Sequence, residues 1–291
     1  MTRPRIGILG GSGLYQIDGL TDIEWRKVES PFGTPSDELC FGRLGGVDVV
    51  FLPRHGRGHR YSPSGIDYRA NIDALKRSGV TDILSLSAVG GLQERYAPGT
   101  FVLVDQFIDR TFAREKSFFG TGCVAHVSMA RPVCPRLGDA LAAAGAGIGL
   151  ELLRGGTYLT MEGPQFSTLA ESELYRSWGC AVIGMTNMPE AKLAREAEIC
   201  YATVAMVTDY DCWHPGHDHV SVDLVVRVLL DNADKARNLV RAVVPSLGSH
   251  TGSCPAGCRT ALDQALITAR DAMDPAVLAR LDAVAGRVLG A

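Results

Sequence analysis

Several things are missing from this sequence, and each absence excludes a class of protein. No apolar run approaches the roughly 20 residues that a helix needs to span a bilayer. The start, MTRPRIGILGGSG, makes no signal-peptide core, because glycines interrupt its apolar stretch early. Charge of one sign is not in excess: 29 Lys and Arg stand against 32 Asp and Glu, a formal net charge of −3. Nucleic acid and anionic membranes both favour a basic surplus, so neither is expected as a partner. A small anionic substrate needs only a few well-placed cations and stays open. There is no internal repeat and no charge block, and the 33 glycines follow no G-X-Y period. The expectation is a cytoplasmic globular protein.

What is present suits a large core: 291 residues, 46% of them hydrophobic. The eight cysteines (Cys40, Cys123, Cys134, Cys180, Cys200, Cys212, Cys254 and Cys258) are scattered, which in a chain of this size reads as reduced, mostly buried thiols. Only Cys254 and Cys258, in CPAGC, are close. They read as a disulfide, half a metal site or chance proximity, with chance or a local structural role in the lead. Apolar runs at Arg5–Leu9, Val47–Leu52, Asp82–Ser87, Phe101–Asp105, Thr157–Met161, Ala181–Met185 and Tyr201–Val207 are continuous rather than alternating. That pattern suits strands buried on both faces. Helical patterns fall between them at Tyr68–Ser78, Pro135–Ala144, Leu169–Trp178, Pro189–Ala197 and Ser221–Val243. Alternation of this kind predicts an α/β fold with a mainly parallel or mixed sheet. The Gly/Pro/Cys-rich stretch Gly248–Arg259 reads as a loop, with helical segments expected over Thr260–Met273 and Pro275–Leu289. One domain over 1–247 with a C-terminal helical extension, 248–291, is the expected organisation.

Chemistry-bearing residues gather where strands end. GILGGSG follows the first strand, but Gln16 stands where a dinucleotide fingerprint wants its third glycine. The loop still exposes backbone N–H groups and the Ser12 hydroxyl, so phosphate binding and a plain tight turn both remain open. PRHGRGHRYSP sets Arg54 and His55 just after a buried run, where a guanidinium fork and an imidazole can grip an oxyanion. LSAVGG places Ser87 and Ala88 at a strand end before two glycines, read as a turn. Together these three pieces suggest a phosphate pocket. In YATVAMVTDYDCW, Asp209 and Asp211 follow another apolar run, and their spacing of two turns both to one side if the chain stays extended. Adjacent buried carboxylates raise one another's proton affinity, so one is expected to hold a proton at neutral pH. Such a pair accepts and donates hydrogen bonds, the complement of adenine's amino group beside its ring nitrogen. The histidines of HPGHDH lack a zinc-ligand pattern and read as a solvated lid loop, and no G-x-S-x-G nucleophile elbow occurs.

IGILGGSGL, SPFGTPSD, RHGRGHRYSPSGIDYRANI, SAVGGL, DQFIDRT, MEGPQFSTLAES, GMTNMPEAKLAREAEICYA and TDYDCW, in this order, resemble the methylthioadenosine phosphorylase branch of the purine nucleoside phosphorylases. The resemblance implies a three-layer fold, a central mixed β-sheet flanked by helices. It implies a pentosyltransferase that cleaves 5′-methylthioadenosine with inorganic phosphate to adenine and 5-methylthioribose 1-phosphate, in methionine and purine salvage. It assigns phosphate to Ser12, Arg54, His55, Ser87, Ala88 and Thr186. It puts Met185 against the ribose, Phe166 and Ser167 at the base, and Asp209 and Asp211 at the amino edge, with Asp209 as general acid. Val222 and Val225 match the lining of an apolar pocket for the methylthio group. His126 matches a residue lent by a neighbouring subunit, which implies a homotrimer, with a hexamer as the larger alternative. Phosphate is a co-substrate, and no cofactor or metal is implied. The alternative within the family acts on 6-oxopurine nucleosides or methylthioinosine, and carries Asn where this chain has Asp209. Thermostable archaeal members carry a Cys-x-Cys element near the C-terminus, where this chain has Cys254 and Cys258.

Overall fold

A computed structural model describes residues 4–11, 16–215, 222–250 and 253–290, with backbone alone at 222–227 and 229. The first half of the chain forms β1 (Ile6–Gly10), β2 (Leu20–Arg26), β3 (Leu39–Leu44), β4 (Val47–Pro53), α1 (Tyr68–Arg77), β5 (Asp82–Gly91), β6 (Phe101–Leu103), β7 (Gln106–Asp109) and α2 (Pro135–Gly147). The second half forms β8 (Leu152–Arg154), β9 (Thr157–Thr160), α3 (Leu169–Ser177), β10 (Val182–Gly184), α4 (Asn187–Glu196), β11 (Cys200–Asp209), α5 (Val222–Gly248), α6 (Pro275–Arg280) and α7 (Asp282–Leu289).

The strands make one mixed sheet in the order β2-β3-β4-β1-β5-β10-β9-β7, and β11 pairs with both β5 and β6. At its centre β4, β1, β5 and β11 run parallel, so Pro53, Gly10, Ser87 and Asp209 all lie toward the same edge. β10 runs antiparallel to β5 and so brings Gly184 and the residues after it to the middle of β5.

Alternate residues of the central strands enter different cores, which is why their sequences are apolar without a break. Leu9, Val50, Leu52, Ile83 and Tyr201 pack with α1, α4 and α7. Ile8, Val49, Phe51, Leu84, Leu86 and Val204 pack with α2 and α5 on the other face. Helix, sheet and helix are the three layers.

Three expectations fail for identifiable reasons. The turn expected at Ser87–Gly91 is strand: β5 runs through both glycines because neighbours crowd it there. A Cβ on Gly91 would fall 2.2 Å from the Tyr96 carbonyl oxygen, and one on Gly90 would fall 2.9 Å from Asp209 Oδ1. The helix expected over Thr260–Met273 is absent, with only short 3₁₀ turns at its ends. The backbone there is drawn into tertiary bonds instead: His126 N–H donates to Ala265 O (2.8 Å) and Ile267 N–H to Val124 O (2.9 Å). Phe101–Asp105 is not a single strand, since the chain leaves β6 after Leu103 and joins β9 as β7. The edge strand β2 gave no burial signal because five of its seven residues are exposed.

Candidate active site

Arg54 follows β4 directly, its N–H donating to Gly10 O (2.9 Å) and so fixing it against the end of β1. Its guanidinium is buried and does not spread its fork toward an open oxyanion pocket. Nε and Nη2 grip Glu190 at 2.7 and 3.0 Å, Nη2 also reaches Ser85 Oγ (2.7 Å), and Nη1 donates to Leu86 O (3.0 Å). Among the described residues, every N–H but one, on Nη1, therefore has an acceptor. Burial disfavours its charge, yet the Glu190 carboxylate more than offsets that and holds Arg54 cationic. Glu190 also accepts from Ser85 Oγ and Tyr201 Oη, both at 2.8 Å. Asn187 Nδ2 donates to Ser85 Oγ (3.0 Å) and Thr203 Oγ1 (3.2 Å) in the same buried network.

His55 is half-buried and donates from Nδ1 to Tyr61 O at 2.9 Å, with its ring stacked on His59 at 4.3 Å. Burial, then the charges of Arg54 and His59, push its pKa down to about 4. The neutral ring therefore presents Nε2 as an acceptor, where the sequence reading had expected a donor. The other arginines of the loop serve the surface. Arg57 pairs with Asp37 (2.8 Å) and lies over the Trp25 ring, and Arg60 pairs with Asp37 at 3.4 Å.

Ser87 and Thr186 do meet: their hydroxyls lie 3.3 Å apart, and Ser87 Oγ is 3.1 Å from Tyr158 Oη. Thr186 stands at the N-cap position of α4 with no hydrogen bond into the helix, which leaves its hydroxyl facing the strand ends. Ala88 follows Ser87 in β5. Ser12 lies outside the described residues.

The carboxylate pair closes the other side. β11 ends at Asp209 after a register shift against β5, and Asp211 has a left-handed backbone (φ +53°). The chain thus turns rather than staying extended, and the turn ties the two acids together. The Asp211 N–H donates to Asp209 Oδ1 (2.8 Å), and the Thr208 hydroxyl donates to Oδ2 (2.7 Å). Ser167 Oγ lies 2.9 and 3.0 Å from the two Asp211 oxygens, so it reaches the base region through that carboxylate. Burial pushes both carboxyls above the ordinary range, and for Asp209 the Asp211 charge adds to it; the hydrogen bonds offset this only in part.

Phe166 stands 46% exposed in the loop before α3, and Met185 packs over Gly163, where a Cβ would fall 2.5 Å from the Met185 sulfur and the φ of +69° disfavours any side chain. These two loops are clamped by Arg114, a residue the sequence did not single out. Its Nη1 donates to the carbonyls of Met185 (2.6 Å) and Met188 (2.8 Å), and its Nη2 to that of Glu162 (2.6 Å). Glu190 was also missed. Its one sequence sign is a place in the first turn of a helix, which reads equally as dipole pairing.

His126 lies apart from this set. It lines a groove of about 400 Å³ with Lys116, Met129, Lys192 and Glu196, which none of the other described site candidates enters. Val222 and Val225 fall in the first turn of α5, but their side chains lie outside the described residues. Of the expected lid, Trp213 is pinned, donating from Nε1 to Gly91 O (2.7 Å) beneath the Arg176 guanidinium. Residues 216–220, with His217 and His219, lie outside the described residues. Among the described residues no helix is long and apolar enough to cross a membrane.

Comparison with known proteins matches this arrangement to one family. The model of the phosphorylase superfamily matches residues 5–245. The S-methyl-5′-thioadenosine phosphorylase of Cereibacter sphaeroides is 64% identical over 284 residues, covering 98% of each chain. That of Rhodospirillum rubrum is 65% identical over 288 residues, covering 99% of this chain and 98% of its own. Among solved structures, a methylthioadenosine phosphorylase from an antarctic soil metagenomic library superposes with a TM-score of 0.91 at 49% identity, covering 98% of this chain and 99% of its own. The Schistosoma mansoni methylthioadenosine phosphorylase in complex with adenine gives a TM-score of 0.83 at 37% identity, covering 89% of this chain and 96% of its own.

Proposed function

The chain belongs to the phosphorylase superfamily, and from that membership and the site geometry we propose that it cleaves 5′-methylthioadenosine with inorganic phosphate, giving adenine and 5-methylthioribose 1-phosphate. The carrying observation is the buried pair Asp209 and Asp211, two carboxyls of raised proton affinity at the end of a central strand. A 6-aminopurine offers an amino donor and a ring-nitrogen acceptor, which one ionised and one protonated carboxyl satisfy together. A 6-oxo group facing the same pair would meet repulsion unless both were protonated.

Breaking the glycosidic bond leaves positive charge on the sugar and negative charge on the purine. Phosphate at the strand ends is both nucleophile and ion partner for the sugar. Ser87, Thr186 and the backbone of Ala88 hold it, with Ser12 from the glycine loop. Arg54 contributes its remaining Nη1 hydrogen and a positive charge fixed by Glu190. His55, neutral at Nε2, accepts from a protonated phosphate oxygen and so favours the monohydrogen phosphate dianion. Each Asp209 oxygen keeps a lone-pair site beyond its hydrogen bond, and a proton there passes to the purine ring nitrogen as general acid. Asp211, steadied by Ser167, accepts from the amino group. Phe166 covers the base and Met185 the ribose, and the segment Cys212–Val220 keeps out water that would otherwise hydrolyse the sugar cation. Val222 and Val225 line the methylthio pocket. His126, outside its own subunit's site, completes a neighbour's in a homotrimer. The enzyme works in the cytoplasm without a redox or organic cofactor.

The test is release of free base from methylthioadenosine and from inosine, each with and without phosphate. Phosphate-dependent adenine release with little reaction on inosine supports this reading. Preference for inosine overturns the base-site assignment, and turnover that ignores phosphate overturns the phosphate site.

A further inference from the structure

Four cysteines that are far apart in sequence come together at the opposite end of the sheet. Cys134 caps α2, Cys200 opens β11, and Cys254 and Cys258 lie in the segment after α5. All four are buried, and their Sγ atoms lie within 4.8 Å of one another, with Cys134 and Cys254 at 3.6 Å. A zinc ion bound by four thiolates at ~2.3 Å sets its sulfurs ~3.8 Å apart at tetrahedral angles. A disulfide needs ~2.05 Å. The cluster already has close to the spacing that a single tetrahedral ion requires, and no pair is at bonding distance.

The surroundings suit a negatively charged site. Asp82 pairs in register with Cys200, and its carboxylate is shared by Arg136 and Arg259, so two guanidinium groups face one carboxylate beside the sulfurs. The buried Nε of Arg136 has no acceptor among the described residues. Cys134 itself stands at the N-terminus of α2. A helix N-terminus and a cationic surplus both stabilise thiolate over thiol.

We propose that Cys134, Cys200, Cys254 and Cys258 form a closed, structural tetrathiolate site for one zinc ion. Binding releases the four thiol protons and oxidises no sulfur. The resulting dianion is balanced in part by Arg136 and Arg259. With no open coordination position the ion takes no part in turnover. It also sits about nine strand residues from Asp209, roughly 30 Å along β11. Its work is to fasten the segment after α5 to the sheet, a reading that replaces a chance pairing of Cys254 and Cys258 and departs from the expectation that no metal is held.

The full-length protein, purified from cells grown without added zinc, is analysed by elemental mass spectrometry. One zinc per chain is expected in the wild type, with near-complete loss in Cys254→Ser/Cys258→Ser and retention in the control Cys180→Ser, whose thiol is buried elsewhere. Because the double variant can fail to fold, wild-type protein is also stripped and reloaded with cobalt(II). Intense sulfur-to-metal charge-transfer bands with tetrahedral d–d absorption are expected. Wild-type protein that holds no metal, or gives only octahedral cobalt, overturns the site. So does an intact mass short by four hydrogens, since that marks two disulfides. Iron in place of zinc overturns the choice of ion.

Discussion

Removing Glu190 tests the claim that Arg54 is a fixed charge rather than a free fork. The two side chains are 3% and 2% exposed and joined at 2.7 Å, so Glu190→Ala strands a guanidinium that water cannot reach. Breaking a buried pair from one side costs about 3–5 kcal/mol. The Ser85 and Tyr201 hydroxyls lose an acceptor as well, about 1–3 kcal/mol each where no water replaces it. Against a total stability of about 5–15 kcal/mol, that is a large share. Equilibrium urea unfolding is expected to show this loss, and at a permissive temperature the phosphate KM is expected to rise at least tenfold as Arg54 leaves its place. The double variant Arg54→Met/Glu190→Leu separates the two effects. Replacing both partners with apolar groups is often neutral or stabilising, so much of the stability is expected to return while phosphate use does not. A Glu190→Ala protein that loses under about 1 kcal/mol and keeps its phosphate KM would refute the reasoning.

Other residues carry independent expectations. Asp209→Asn removes the proposed general acid and is expected to lower kcat/KM on methylthioadenosine on the order of 10²–10⁴-fold. In the wild type, activity should fall as pH rises through the raised Asp209 pKa, and that limb should vanish in the variant. A pH profile unchanged by the substitution would remove Asp209 from the role. His55 has its pKa lowered to about 4 in the fold. Between its unfolded value of about 6.5 and that value the unfolded chain binds the extra proton, so stability falls as pH falls, by roughly 3 kcal/mol in all. The pH-dependent difference in unfolding free energy between wild type and His55→Gln should show that slope over this window, and a flat difference would contradict it. Arg114→Lys loses the planar fork that reaches three carbonyls, so nucleoside KM is expected to rise more than kcat falls, with little rescue over Arg114→Ala. Full activity in either variant would show that the clamp is dispensable.

The parts of this molecule that could be read from the sequence share one property: their signal is local. Arg54 and Asp209 each stand at the end of an apolar run, and an apolar run buried on both faces is visible in ten residues. Ser87 was found for the same reason, although β5 runs on past it because Gly90 and Gly91 make room for Asp209 and Tyr96. What escaped depends on pairs far apart along the chain: Arg54 with Glu190 across 136 positions, Arg114 with Met185 across 71, Cys134 with Cys254 across 120. No window of sequence holds both members of such a pair. The stretch Thr260–Met273 failed in the opposite way, because its helical pattern is real but its backbone is used by the segment around Val124 and His126. The cysteine cluster and the acid pair fall at the two ends of the same strand. β11 carries Cys200 at its start and Asp209 at its end, and every residue between is buried. A strand held at its start by four sulfurs and along its length by β5 and β6 cannot slide in register. Register is what fixes Asp209 against Gly90, so an anchor remote from the reaction still bears on where its acid stands.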